Sequence, residues 1–122
     1  MSRSLEVLLE DILESIRQIE QYTTGLSEEA FSAERMVQDA VMRRLEVIGE
    51  AVRGLPDDLR KRYPEVPWRQ IAGARDVLVH EYFRVDLELT WQMVATDLPE
   101  LRTNVTAILQ GLRRTGEDEE CT

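Results

Sequence analysis

Residues 37–55, VQDAVMRRLEVIGEAVRGL, decide the fold. The apolar positions Val37, Val41, Leu45, Ile48, Val52 and Leu55 follow one another at steps of 4, 4, 3, 4 and 3. Such steps return to one side of a 3.6-residue helix, so they predict a long helix with a single apolar stripe that packs against partner helices. A strand would need alternation at every second residue, and no segment of the chain alternates convincingly. Gly49 sits inside this helix, where it costs about 1 kcal/mol relative to alanine. The expected return is close approach by a neighbouring helix or chain. Gly54 and Pro56 end the helix.

The same period extends to both sides. Leu5, Leu8, Leu9, Ile12, Ile16 and Ile19, with Glu6, Glu10, Glu14 and Arg17 between them, predict an amphipathic helix over roughly 4–22, stopped at Thr23-Thr24-Gly25. Ser27 opens a short helical turn near Ala30 and Phe31. Asp57 to Tyr63 forms a short helix closed by Pro64. Pro67 suits the first turn of a helix that starts at Trp68 and carries Ile71, Ala72, Arg75, Leu78, Val79 and Tyr82 near one side. Asp86 is the expected N-cap of a last helix through Leu87, Trp91 and Val94. Pro99 marks a kink or restart near Asp97, and the pattern runs on to Leu112. The expected fold is all-α: an antiparallel bundle of about five helices in one domain over 1–116, with 117–122 as a disordered acidic tail.

Composition limits the function. The 122-residue chain carries a net charge of −9, spread unevenly. Residues 1–34 carry −6, residues 35–76 carry +2 and residues 77–122 carry −5. A chain this acidic is not a general nucleic-acid coat, so RNA contact is confined to the basic middle third. There Arg43, Arg44, Arg53, Arg60, Lys61, Arg62 and Arg69 form a basic strip, which reads equally as an RNA or partner surface and as a solvated helix face. The one cysteine, Cys121, cannot form an internal disulfide, and one histidine without a cysteine cluster offers no zinc site. The N-terminus lacks the unbroken apolar run of a signal peptide, and nothing approaches the roughly 20 apolar residues of a membrane span. The expectation is a cytoplasmic protein with no membrane contact, no metal and no cofactor.

Within this frame one stretch concentrates reactive side chains: Arg75-Asp76-Val77-Leu78-Val79-His80-Glu81-Tyr82. Cleavage of an RNA phosphodiester removes a proton from a 2′-hydroxyl, delivers one to the 5′-oxygen and stabilises a crowded anionic phosphorus. Histidine titrates near neutrality and suits either proton role. Arginine suits the phosphate as a fixed cationic fork. On a continuous helix Asp76 and His80 share a face, so Asp76 would support the imidazole and favour its charged form. Acid–base cleavage usually takes two proton-transfer groups, and each chain has one histidine. A symmetric dimer with both His80 side chains at one cleft would supply the pair. From spacing alone, a structural role for the same residues stays open, with Asp76 paired to Arg75 or His80 and Tyr82 and Trp91 as packing aromatics.

The wider pattern, from Pro67-Trp68 through Ile71, Gly73, Arg75, His80, Tyr82-Phe83, Asp86 and Trp91 to Asp97-Leu98-Pro99, with Gly49-Glu50-Ala51 upstream, resembles the HepT-like branch of the HEPN superfamily. The likeness covers about residues 5–113. It implies an all-helical homodimer with a cleft at the subunit interface, and a metal-independent endoribonuclease that is the toxin of a toxin–antitoxin pair. Arg75 and His80 match the family's catalytic pair. Tyr82 matches the tyrosine to which a cognate antitoxin, a minimal nucleotidyltransferase, transfers AMP from ATP. Many relatives carry Asn after the motif arginine where this chain has Asp76. That carboxylate can support His80 or neutralise Arg75. Glu50 is given no catalytic role. The competing reading is a non-catalytic HEPN interaction module that binds a nucleotidyltransferase partner or a nucleotide.

Overall fold

A computed structural model describes the backbone of residues 4–78 and 86–121, with the side chains of these except Arg75, Val77 and residues 115–121. The described residues form an all-helical fold: α1 (Leu5–Thr23), α2 (Glu28–Ala33), α3 (Arg35–Arg53), α4 (Asp57–Arg62), α5 (Trp68–Ala72), α6 (Ala74–Leu78), α7 (Leu87–Gln92), a π-helical stretch (Met93–Asp97) and α8 (Leu98–Cys121). With α5–α6 and α7–α8 each taken as one bent rod, six helical units are present among them.

The starts are chemically marked. Ser4 caps α1 by accepting the Val7 amide, and Ser27 caps α2 by accepting that of Ala30. Asp86 caps α7 through the Leu89 amide, as its position predicts. At the end of α1 the chain turns through Gly25 with φ 77°, in the left-handed region that glycine enters without a Cβ clash.

The core lies between α1, α3 and α8. Ile12, Ile16 and Ile19 from α1, Val41 and Val52 from α3 and Val105 from α8 are fully excluded from solvent. Each such side chain stabilises the fold by about 1.5–3 kcal/mol relative to exposure. Leu8 of α1 lies against Gly54, just past the end of α3, so these helices run antiparallel. Arg102 and Arg113 of α8 pair with Glu20 and Glu10 of α1, in reversed order along the two helices, so α8 is also antiparallel to α1. A second layer leans on this one. The buried Gln38 amide donates to the carbonyls of Phe31 and Ser32 and ties α2 to α3. Phe31 meets Trp91 with ring centroids 5.3 Å apart, so Trp91 is a packing aromatic joining α2 to α7.

Two expectations change. The helix expected to run from Trp68 past Tyr82 is broken at Gly73, where the backbone (φ −97°, ψ 7°) leaves the helical region. The expected kink at Pro99 is a π-helical stretch just upstream, in which the Leu98 amide reaches back to the Met93 carbonyl. Proline has no amide to donate and its ring crowds the carbonyl four residues earlier, that of Ala95. The wider π turn absorbs that mismatch without ending the rod. The last helix, α8, has its backbone helical from Leu98 to Cys121.

Candidate active site

The arm that carries the motif is built from short pieces held at both ends. At its start the Trp68 ring is buried, and its indole N–H donates to the Tyr63 carbonyl at 3.1 Å. Ile71 is buried one turn on. After Gly73, Ala74 and Leu78 are both buried, at i and i+4, so α6 is anchored by its first and last residues. Arg75 is the second residue of this helix. Asp76 follows it and is exposed.

Leu78 is the last described residue before the segment 79–85. Its carbonyl accepts the Asp86 amide at 2.6 Å. The segment therefore begins and ends at one closed neck, and α7 starts from that neck. The Thr90 hydroxyl, fully buried, donates back to the Asp86 carbonyl at 2.7 Å and braces the far side. His80 and Tyr82 lie in 79–85, outside the described residues, as does the side chain of Arg75. The structure thus places Arg75 on α6 and Asp76 on the surface, and joins Leu78 to Asp86. The i, i+4 relation between Asp76 and His80 needs a helix through residue 80, and the described part of α6 ends at Leu78.

Between α5–α6 and the rod of α7–α8 runs a groove that sequence reading did not find. Gln70, Met93 and Asp97 stand where its two halves adjoin. One end adds Ile71, Leu101 and Asn104. The other, the larger, adds Ala74, Leu78 and Leu89 and reaches the helix that carries Arg75. Leu89, 43% exposed, is a large apolar side chain at its rim. The π turn decides which residues of the last rod face the groove, because an extra residue per turn resets the helical register. No sequence period announces such a reset.

Part of the basic strip is occupied locally. Arg43 pairs with Glu46 and Arg60 with Asp57, both at i, i+3 on exposed helix faces. Arg53 donates to the Ala72 carbonyl at 2.6 Å. Arg43 and Arg60 thus fit the solvated-face reading, while Arg53 makes a contact between α3 and α5. Glu50 is exposed on α3. Among the described residues, no group of three or more His, Cys, Asp or Glu side chains is arranged to hold a metal ion. No described helix is long and apolar enough to cross a membrane.

The sequence that builds this all-helical core and the motif-bearing arm matches a nuclease family. A family model described as ribonuclease HepT-like matches residues 12–108, which include Arg75, Asp76, His80 and Tyr82. The chain belongs to the HepT-like ribonuclease family. Relatives agree. A Thermococcus cleftensis protein named "Probable ribonuclease HepT" is 44% identical over 102 residues, which is 84% of this chain and 93% of that one. A Methanocaldococcus jannaschii protein named "Gamma-glutamylcyclotransferase and putative RNase" is 43% identical over 112 residues, 92% of this chain. The chain spans half the length of that longer relative. Another M. jannaschii protein, named as an RNase of the same standing, is 38% identical over 117 residues and matched over 95% of its length. No solved structure matches the chain.

Proposed function

We propose that this protein is a metal-independent endoribonuclease, the toxin of a toxin–antitoxin pair, acting as a homodimer with its cleft at the subunit interface. The observation that carries the reading is the family match across residues 12–108, a span that contains Arg75, His80 and Tyr82. The closed neck between Leu78 and Asp86 supports it, because it ties α6, the helix that carries Arg75, to the start of α7.

In this reading the RNA 2′-hydroxyl attacks the adjacent phosphorus. One His80 takes the 2′ proton, and His80 of the second subunit gives a proton to the departing 5′-oxygen. A 2′,3′-cyclic phosphate and a 5′-hydroxyl result. Arg75 holds the phosphate oxygens and offsets the charge that builds in the transition state. Asp76 beside it is a supporting carboxylate. In silencing, the Tyr82 phenol oxygen attacks the α-phosphorus of ATP on a minimal nucleotidyltransferase antitoxin, pyrophosphate leaves, and the phenol carries AMP. The added bulk and negative charge stand beside the phosphate site and repel RNA.

The test is induced expression of wild type against Arg75→Ala and His80→Ala. Growth arrest and RNA cleavage by wild type alone support the assignment, and equal arrest in all three sinks it. Mixed dimers of wild type and His80→Ala retaining half activity or more would rule out a shared site. Incubation with the partner and ATP should add one AMP mass to wild type and none to Tyr82→Phe. The exposed Asp76 and the acidic net charge favour one second reading, a non-catalytic module that binds the nucleotidyltransferase or a nucleotide. It predicts partner binding with no cleavage by any variant.

A further inference from the structure

The break at Gly73 frees one backbone group. In an unbroken helix the Ala72 carbonyl would accept the Asp76 amide four residues on. That amide donates to the Gly73 carbonyl instead, at 3.1 Å. The Ala72 carbonyl is thus released at the junction of α5 and α6, and two residues of α3 receive it. Arg53 donates to it through Nη2 at 2.6 Å. Gly49, one turn earlier on the same face of α3, leaves the space in which it sits. A Cβ at position 49 would stand 2.9 Å from that oxygen, with the Ala72 carbonyl carbon and Cα the next nearest atoms. All three are backbone atoms, so no flexible side chain could yield.

We infer that Gly49 and Arg53 form a socket for the Ala72 carbonyl that fixes α6 on the core, and that both are positioning residues for Arg75. The inference rests on the reading of Arg75 as the phosphate clamp. The chain of contact is short. Ala72 precedes Arg75 by three residues, and α6 has only five residues, too few to hold a direction by itself. Its own apolar anchors, Ala74 and Leu78, make non-directional contacts. A hydrogen bond from a cation to a carbonyl is directional and adds a fixed point at the start of α6. The socket also gives Gly49 and Arg53 one shared reason, at i and i+4, for their residue types.

A direct RNA contact by Arg53 would use the same charge, so the test must separate the two. The full-length protein is compared as wild type, Arg53→Ala, Arg53→Lys, Gly49→Ala and Arg17→Ala, the last an exposed α1 residue remote from the arm. Amide hydrogen exchange over 73–78 and steady-state cleavage of a labelled single-stranded RNA are read. Circular dichroism and the melting midpoint check folding. For Arg53→Ala we expect exchange over 73–78 to quicken about threefold or more while α1 is unchanged. We expect kcat to fall roughly 10- to 100-fold, as a small misplacement of a catalytic group does, with KM within about twofold. Arg53→Lys, which keeps a donor, should recover most of kcat. Gly49→Ala should repeat the Arg53→Ala pattern; if it does not fold, Arg53→Ala decides alone. Arg17→Ala should match wild type. Unchanged exchange over 73–78 overturns the socket, and so does a higher KM at constant kcat, which would mean RNA contact. If the wild type does not cleave RNA, the nuclease reading fails, and the exchange comparison still decides whether the socket holds α6.

Discussion

The α1–α3–α8 core and the arm from Trp68 to Leu78 are both helical, yet they are held by different physics. The core is ordered by area. Three rods place isoleucine and valine stripes against one another, and the interaction is non-directional and spread over many side chains. The arm buries Trp68, Ile71, Ala74 and Leu78 on that core and adds single contacts to backbone carbonyls: Trp68 on Tyr63, Arg53 on Ala72, the Asp86 amide on Leu78. A region held by area tolerates small local changes and fails as a unit. A region held by a few directional bonds keeps one geometry but can lose it one contact at a time. In the proposed reading the arm serves by its geometry more than by bulk stability, and its contacts suit that.

Substitutions can break this contrast. The largest effect is expected in the core. Ile16→Ala should destabilise the fold by about 2–5 kcal/mol, measured by urea unfolding, because a fully buried side chain leaves a cavity. A loss under about 1 kcal/mol would mean that the bundle is not close-packed there. Next comes activity without stability. Arg75→Ala or His80→Ala should lower RNA cleavage by roughly 100-fold or more, with the unfolding midpoint near wild type. Parallel loss of both would return these residues to a structural role.

At the neck, Asp86→Ala should cost about 0.5–2 kcal/mol of stability by removing the N-cap of α7. It should also speed amide exchange at Leu89, and unchanged exchange would show that the cap does not hold the neck. Surface pairs should matter least. Arg102→Ala, which removes the partner of Glu20, should shift stability by about 0–1 kcal/mol, and less at high salt. The smallest effect concerns acid. The Gln18 amide, then Arg17, hold the Glu14 carboxyl below the ordinary glutamate value. A lowered folded pKa gives stability that is present above the unfolded value and lost as pH falls through the folded one. Glu14→Gln should therefore leave the melting midpoint at neutral pH nearly unchanged and slightly flatten its decline in acid. A steeper decline would reverse the assigned sign.

Where the sequence could be read follows the same divide. The helices α1 and α3, the Ser27 and Asp86 caps and the Gly49 close approach were all legible, because period and local capping chemistry act within a few residues. The break at Gly73 was not, since an apolar face at 71, 74 and 78 suits one bent rod as well as two. The π turn was hidden because Pro99 announces a disturbance without saying how the backbone absorbs it. Arg53 was legible only as one member of a basic strip. Its acceptor, Ala72, is 19 residues away and is freed only by the Gly73 break.

By itself, then, the chain's residue pattern determined the helical class, the apolar stripes and the family to which Arg75, His80 and Tyr82 point, because these are properties of local periodicity and of residue type. Tertiary structure alone decided where the motif arm sits, which carbonyl it offers to α3, how its neck closes on Asp86 and where the groove beside it runs. Those are contacts between groups distant in sequence, and their energies exist only once the core has brought the helices together.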